Sequence, residues 1–359
     1  MKKKVALVTN IPAPYREKVY ELASEDPNID LTVIYCDKIE KNRNWSFTLG
    51  NYKKVFLNTL TLSIFNSYIH LNLKIFFTLN KKKPDVVISC GFGPVMVLSL
   101  MWAILNGKKH FIFTDGIADS EESLTYVHQL IRRFFYKNSQ GFIAASNKSI
   151  KLHKLYGAQD QNIYKSCLCV ENEKFIKKLL QEKKFDLMFS GQLIHRKQPL
   201  FFIEVAKKVK ERLGYCSVLI LGDGEMKSEV LLALEQSGLD YLIPGHVDQA
   251  ALPNFFSDSK LFLFPSSNDP WGVVVNEALA SGLPVISSPY PGSSGELVLN
   301  EVNGYVIDLD ITLWSEKVCE LLTSQSKYEE FSEESLNLVK DYNFLNASRG
   351  LIDAINNIN

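Results

Sequence analysis

Two carboxylates and a glycine form the most chemically specific stretch of the chain. Asp269 is followed by Pro270-Trp271-Gly272, then by Val273-Val274-Val275-Asn276-Glu277, and the run closes on Ala278 to Ile286. Gly272 is a flexible turn residue, and the pattern predicts a helix that starts there and ends at Gly282. Free backbone amides at such a helix start favour an anion such as a diphosphate. Asp269 stands just before this helix and Glu277 lies over one turn into it. Carboxylates so placed can accept hydrogen bonds from the hydroxyls of a sugar and a ribose. They can equally be an N-terminal cap and a surface charge, and spacing alone does not choose. A second stretch, Gly191 to Gln198, follows a predicted strand and precedes a predicted helix. Gly191 lets a ligand approach the backbone. Arg196 and Lys197 can converge with helix amides on an anion, although a solvated basic loop has the same sequence. A third, Leu219-Ile220-Leu221-Gly222-Asp223-Gly224, runs a strand into a Gly-Asp-Gly turn. It is half of a dinucleotide fingerprint without the GxGxxG spacing, and strand-ending glycine turns are common.

Such residues need strand ends and helix starts to hold them. Predicted strands are Val5–Thr9, Leu31–Tyr35, Val86–Ser89, Phe111–Thr114 and Gly141–Ala145, then Phe185–Ser190, Ser217–Leu221, Leu261–Phe264 and Pro284–Ser287. Many are continuous apolar runs, as in parallel strands buried on both faces. Helical patterns such as Leu200–Leu213 and Val273–Ser281 lie between them. The alternation predicts a doubly wound α/β fold. A chain of 359 residues suggests two domains. The polar segment Gln181-Glu182-Lys183-Lys184 marks the boundary. We expect an N-terminal domain over residues 1–182 and a C-terminal domain over 183–339, with a last helix at about 340–359 packing back on the first. Two such domains would face each other across a cleft at the carboxyl ends of both sheets, where open α/β sheets bind ligands.

Composition narrows the classes. The chain is 46% hydrophobic, ample for packed cores, which excludes a disordered protein. Lys+Arg and Asp+Glu are 40 each, so the net charge is zero. That balance hides an asymmetry: residues 1–180 hold 26 Lys+Arg against 15 Asp+Glu, and the rest hold 14 against 25. No nucleic-acid partner is expected, whereas a basic N-terminal half suits an anionic membrane surface. Six cysteines form no CxxC pair, so we expect reduced core thiols and neither a disulfide framework nor a metal site. Lys2-Lys3-Lys4 before Val5–Val8 imitates a signal peptide, but the apolar run is four residues long where roughly 7–15 are needed. It reads as a first strand. The longest apolar stretch, Pro94 to Leu105, is about half a bilayer span. A soluble, cytoplasmic protein is expected, peripheral on the inner face of the plasma membrane if the basic half meets lipid.

The acidic residue, seven others, then Glu, followed by Ala-x-Ala-x-Gly-x-Pro-Val-Ile, resembles the hallmark of glycosyltransferase family 4. Here it runs from Asp269 to Glu277 and on through Ile286. Gly191–Lys197, Gly222-Asp223-Gly224, Gly245-His246-Val247, Phe264-Pro265-Ser266, Pro291 to Glu296 and Asn303-Gly304-Tyr305 follow in the family's order. The resemblance covers most of residues 185–310. It implies the GT-B fold, two Rossmann-like domains facing a central cleft, and transfer that retains anomeric configuration. It implies that Glu277 binds the nucleotide ribose and Asp269 the donor sugar. Amides near Gly272 and Val273 would hold the diphosphate or the sugar, with Gly191, Gly222 and Gly224 in the surrounding donor loops. Lys197 would neutralise the leaving diphosphate, and the backbone at His246-Val247 would face the base. Three features depart from the pattern. Asp269 stands where Glu is usual, Gln192 stands where a phosphate-binding Arg is usual with Arg196 nearby, and Asn10 to Arg16 replaces a Gly-Gly loop. Tyr15 and Arg16 either touch acceptor or phosphate or merely start a helix. The family's histidine near the end of a central N-domain strand is missing, and Asp115 takes about that place.

The expected activity is therefore a retaining, metal-independent transfer from a nucleotide-diphospho-sugar to a glycan or lipid-linked acceptor, with no cofactor, in bacterial surface-polysaccharide synthesis. Rivals are a nucleotide-sugar epimerase of the same fold, a non-catalytic sugar-nucleotide-binding partner of another transferase, and a dinucleotide oxidoreductase, which the missing GxGxxG disfavours. His70, His110, His128 and His153 read as surface or satisfied core residues, and Trp45, Trp102 and Trp314 as packing residues. Tyr68–Lys83 reads as a core helix with a solvated end, or as a membrane-facing helix for a lipid-linked acceptor.

Overall fold

The computed structural model describes residues 2–39, 48–58, 60–64, 67–121 and 124–357, with the backbone alone for 60–64 and 67–71. The chain divides into two compact units, residues 1–168 with 344–359, and residues 169–343.

In the first unit the strands are β1 (Lys3–Thr9), β2 (Ile29–Tyr35), β3 (Lys53–Phe56), β4 (Leu60–Ile64), β5 (Ser67–Leu71), β6 (Val86–Cys90), β7 (Lys109–Thr114), β8 (Gly141–Ala144) and β9 (Ile163–Lys165). Seven of them form a parallel sheet in the order β3-β2-β1-β6-β7-β8-β9, and β4 pairs with β5 as an antiparallel hairpin. The residues after the N-terminal lysines are thus a central strand: Val5 pairs with Leu31 on one side and Val86 on the other. Val5 to Val8 are all buried, as a strand with helices on both faces requires. The expected helix over Tyr68–Lys83 is corrected. Its first part is strand β5, and helix begins only at Lys74. Asn72 breaks the segment, donating to the Leu57 carbonyl (3.1 Å) and accepting from the Lys74 amide (2.9 Å). Trp45 and the side chain of His70 lie outside the described residues.

The helix Phe344–Asn356 belongs to this unit, against the helix Pro14–Glu25 and β9. Lys3 Nζ donates to the Ile355 carbonyl (2.8 Å) and Ser166 Oγ to that of Ala347 (2.8 Å). Gly350 makes the approach feasible: a Cβ there would stand 1.8 Å from the Lys165 carbonyl oxygen.

The second unit holds β10 (Phe185–Ser190), β11 (Ser217–Leu221), β12 (Asp240–Gly245), β13 (Ser259–Phe264), β14 (Val285–Ser287) and β15 (Gly304–Val306), all parallel, in the order β12-β11-β10-β13-β14-β15. Leu187, Phe189, Val218, Ile220, Leu261 and Leu263 alternate along their strands into one core. Trp314 and Val318 of the helix Ile311–Thr323 pack into the same core. The chain enters this unit before the boundary expected at 182/183, because residues 169–184 are bonded to it. Asn172 Nδ2 donates to the carbonyls of Val339 (3.1 Å) and Tyr342 (3.2 Å), and Lys183 Nζ to those of Ser257 (3.3 Å) and Ser259 (2.8 Å). In each sheet the strand order reverses beside its first strand, at β1/β6 and β10/β13. Open α/β sheets collect ligands at such points.

Candidate active site

In the second unit, two loops meet at the β10/β13 switch point. After β10 the chain passes Gly191, makes a 3-10 turn over His195–Lys197, and enters the helix Pro199–Leu213. After β13 it runs through Asp269 to the helix Val273–Ala280. The loops are stitched by the Arg196 carbonyl, which accepts from the Ser267 amide (2.8 Å) and from the hydroxyls of Ser266 (3.1 Å) and Ser267 (3.2 Å). Lys197 Nζ bonds Asp269 Oδ2, and both side chains are largely buried. Arg196 Nη1 lies 3.7 Å from the same carboxylate oxygen and donates to the Asn268 carbonyl (3.0 Å). The exposed Gln192 stands at the start of the same loop. Asp269 is not the helix cap. Its Oδ1 accepts from the Trp271 amide (3.2 Å), and the cap position is Gly272, at φ 91°. A side chain at Gly272 would strike the Phe264 ring at 2.5 Å, and Lys197 Nζ sits 5.0 Å from the centre of that ring. The first-turn amides at Val273 therefore receive no side-chain cap, which leaves the helix start suited to an anion.

Glu277 lies on the inner side of the same helix. It is buried, and among the described residues no donor reaches its carboxyl. Burial pushes that carboxyl up to about 8. The surface-charge alternative is thereby excluded. Trp271 is locked by Nε1–H donating to Asn276 Oδ1 (2.8 Å) and by stacking on Tyr342 at 5.7 Å. Gly292 packs under Pro270, where a Cβ would stand 1.9 Å from the carbonyl oxygen. The Ser293 amide donates to the Trp271 carbonyl (3.2 Å), while its buried hydroxyl has no hydrogen-bond partner among the described residues. The sequence reading passed over the Phe264 ring and this hydroxyl. The segments that carry them resembled the family, but nothing in the sequence signalled their contacts.

Gly222 and Gly224 have a packing role. At Gly222, φ 139°, a Cβ would meet the Gly191 carbonyl oxygen at 1.8 Å, and at Gly224 one would meet that of Leu193 at 2.5 Å. Asp223 between them is held below the usual carboxylate range by Lys227, whose Nζ donates to it at 2.8 Å. Gly245 closes β12, with its carbonyl accepting from the Gly222 amide (2.9 Å). His246 follows exposed and Val247 half-buried.

The first unit has its own cavity, of about 300 Å³, at the carboxyl ends of β1, β6 and β7. Thr9, Asn10, Tyr15, Arg16, Cys90 and Asp115 are on its wall. Asp115 is exposed at the end of β7 and Tyr15 is half-buried. Arg16 does more than open the helix Pro14–Glu25. Its buried Nη1 reaches the carbonyls of Ser166 (3.2 Å) and Cys167 (3.2 Å), and the guanidinium lies 4.5 Å over the Phe113 ring. Burial pushes the Cys90 thiol up to about 12, so it stays protonated. His110 and His153 are buried core residues. His110 is bonded to Ser89 (2.8 Å) and Ser139 (2.7 Å) and driven down to about 3 by burial. His153 is bonded to Tyr136 (2.8 Å) and driven down to about 4, again by burial. His128 is exposed, Trp102 and Trp314 are buried, and of the cysteines Cys36, Cys167, Cys169 and Cys216 are buried and Cys90 and Cys319 half-buried.

Two doubly wound parallel sheets, each with polar residues gathered at its switch point, place the chain among α/β proteins of the GT-B type. A solved structure of the Anabaena protein Alr3699/HepE in complex with UDP superposes with a TM-score of 0.77 over all of both chains, at 13% identity. Residues 170–337 match the model of the family Glycosyl transferases group 1. An uncharacterized glycosyltransferase of Methanocaldococcus jannaschii is 26% identical over 253 residues, 64% of this chain and 62% of its own length. The UDP-Gal:alpha-D-GlcNAc-diphosphoundecaprenol alpha-1,3-galactosyltransferase of Escherichia coli is 30% identical over 137 residues, 36% of this chain and 34% of its own. The chain thus spans less than two thirds of the length of either curated relative.

Proposed function

We propose that this protein transfers a sugar from a nucleotide-diphospho-sugar to a hydroxyl of a glycan or lipid-linked acceptor, with retention at the anomeric carbon and without a metal ion. One observation carries the reading: Lys197, Asp269, the uncapped helix start at Gly272 and the unpartnered Glu277 occur together at one switch point. Glu277 accepts from the ribose hydroxyls, and Asp269 from a hydroxyl of the donor sugar. Lys197, Arg196 and the Val273 amide supply the positive charge on which the diphosphate leaves. The acceptor hydroxyl attacks on the face the diphosphate vacates, and a leaving-group oxygen takes its proton. The first unit's cavity is assigned to the acceptor, with Tyr15 and Asp115 as contacts and Arg16 as a positioning residue for the chain at Ser166–Cys167. Surface-polysaccharide synthesis is the setting we favour. The diphosphoundecaprenol acceptor named for the Escherichia coli relative supports a lipid-linked acceptor here.

The test is a panel of nucleotide-sugars read by release of nucleoside diphosphate and by product mass. Lys197→Ala is expected to lose both transfer and nucleoside-diphosphate affinity. Asp269→Asn is expected to lose transfer but to bind the diphosphate at least as well, because Lys197 is freed from its carboxylate partner. Tight nucleotide binding with no turnover on any donor would instead favour a non-catalytic binding partner, a reading that Gln192 and the short Asp269 keep open.

A further inference from the structure

The first unit exposes large apolar side chains on three helices that pack side by side. The helix Pro94–Leu105 reads Pro-Val-Met-Val-Leu-Ser-Leu-Met-Trp-Ala-Ile-Leu, without a charge. Val95, Met96, Ser99, Leu100, Trp102 and Ala103 are buried, so the opposite stripe faces outward, with Met101 and Ile104 exposed and Leu105 74% exposed. A core-facing helix ordinarily turns polar residues outward, and this one does not. The helices Lys74–Lys82 and Tyr126–Asn138 flank it, and Trp102 Nε1 donates to Asn80 Oδ1 (2.8 Å) to join the first of them. These neighbours expose Phe77, 76% accessible, and Val127, Leu130 and Phe134. A patch of this kind on a water-facing surface marks an interaction site.

Charge selects the partner. The three helices contain no Asp or Glu, and they carry Lys74, Lys81, Lys82, Arg132, Arg133 and Lys137. Arg132 is paired with Glu121, but the other five have no carboxylate partner among the described residues. A second copy of this chain would set the same unpaired cations against each other across a two-fold axis, which is repulsive. A surface of anionic headgroups over acyl chains satisfies both parts at once: lysine and arginine meet the phosphates while the aromatic and aliphatic side chains enter the interface. Among the described residues no helix is long and apolar enough to cross a membrane, so the contact is with the surface plane.

We propose that the face formed by the helices Lys74–Lys82, Pro94–Leu105 and Tyr126–Asn138 docks on an anionic lipid surface, with the Pro94–Leu105 helix lying in the interface. The proposal deepens the reading of a lipid-linked acceptor but depends on no nucleotide or sugar. The test is flotation of the full chain with vesicles of phosphatidylglycerol and phosphatidylcholine in equal parts, against phosphatidylcholine alone, at low and high salt. Flotation is expected only with the anionic vesicles, weakened by salt. Leu105→Glu and Phe77→Ser, both at exposed positions, are expected to cut the partition coefficient by about tenfold or more. Lys81→Glu with Lys82→Glu should cut it by about fivefold per lost cation. Circular dichroism confirms that each variant is folded. Failure to float with anionic vesicles at low salt, or variants that float like the parent, would overturn the proposal. So would a dimer in sedimentation that Leu105→Glu dissolves while the vesicles stay bare. Vesicle binding by a protein that turns over no donor would sink the transferase reading and leave this one standing.

Discussion

Glu277 is held at a cost. A buried carboxyl with no donor resists ionisation, which is why its titration moves up to about 8. The folded pKa lies above the unfolded one, so the native state is not penalised below about pH 4.5. It then loses stability as the pH rises towards about 8. Replacing Glu277 with Gln removes that titration. The variant should therefore gain thermal stability over the parent as the pH goes from 5 to 8, and a gain that did not vary with pH would refute the burial argument. In its proposed role the same carboxyl must ionise to accept two ribose hydroxyls, so nucleotide binding near pH 7 should release a proton. Titration calorimetry in buffers of different ionisation enthalpy reads that release, and Glu277→Gln should abolish it along with most of the affinity. Removing hydrogen bonds to a charged acceptor ordinarily costs about 1.5–3 kcal/mol. Arg16 stands at the opposite extreme. Its Nη1 is already engaged by backbone carbonyls and its guanidinium lies over the Phe113 ring, so it positions the chain at residues 166–167.

Elements in this protein are placed by missing side chains as much as by apolar ones. Gly350 lets the last helix sit on β9, with no room for a methyl group beside the Lys165 carbonyl. Gly350→Ala should force that helix away and lower the melting temperature of the first unit by several degrees, since such backbone clashes cost about 1–3 kcal/mol. An unchanged melting temperature would mean that the contact is not tight. The alternation of strands and helices was legible because Val86–Ile88 and Leu219–Leu221 are unbroken apolar runs. The helix Val273–Ala280 was legible because glycines bracket it, and both Gly272 and Gly282 take positive φ, 91° and 67°. Other features were not legible, for physical reasons. The partner of Arg16 is 150 residues away in sequence, and the duty of Gly222 is to a carbonyl in another loop. In Tyr68–Lys83, one Asx turn at Asn72 overrode an apolar pattern that fits strand and helix equally. Of the candidate site, Asp269, Lys197 and Gly272 are brought together by the structure, while the orphaned state of Glu277 could be seen only once its surroundings were in place.

For the whole molecule, the two units carry opposite charge. Residues 1–168 with 344–359 hold 24 Lys+Arg against 14 Asp+Glu, a net +10, and residues 169–343 hold 16 against 26, a net −10. Neutrality therefore conceals a basic unit, and that unit bears the acid-free helices of the proposed lipid-docking face. The return of the chain to its first unit has another consequence, one of timing. Translation proceeds from the N-terminus, yet the sheet begun by β1 lacks its neighbour helix until Phe344–Asn356 has been made. The residues of the second unit are all made before the set belonging to the first is complete, because 344–356 follow 169–343 in the chain. Nascent chains truncated after residue 343 and tethered by a linker long enough to clear the exit tunnel should resist protease within 169–343 and be cut within 1–168, and equal resistance in both would show that the early sheet closes without its late helix.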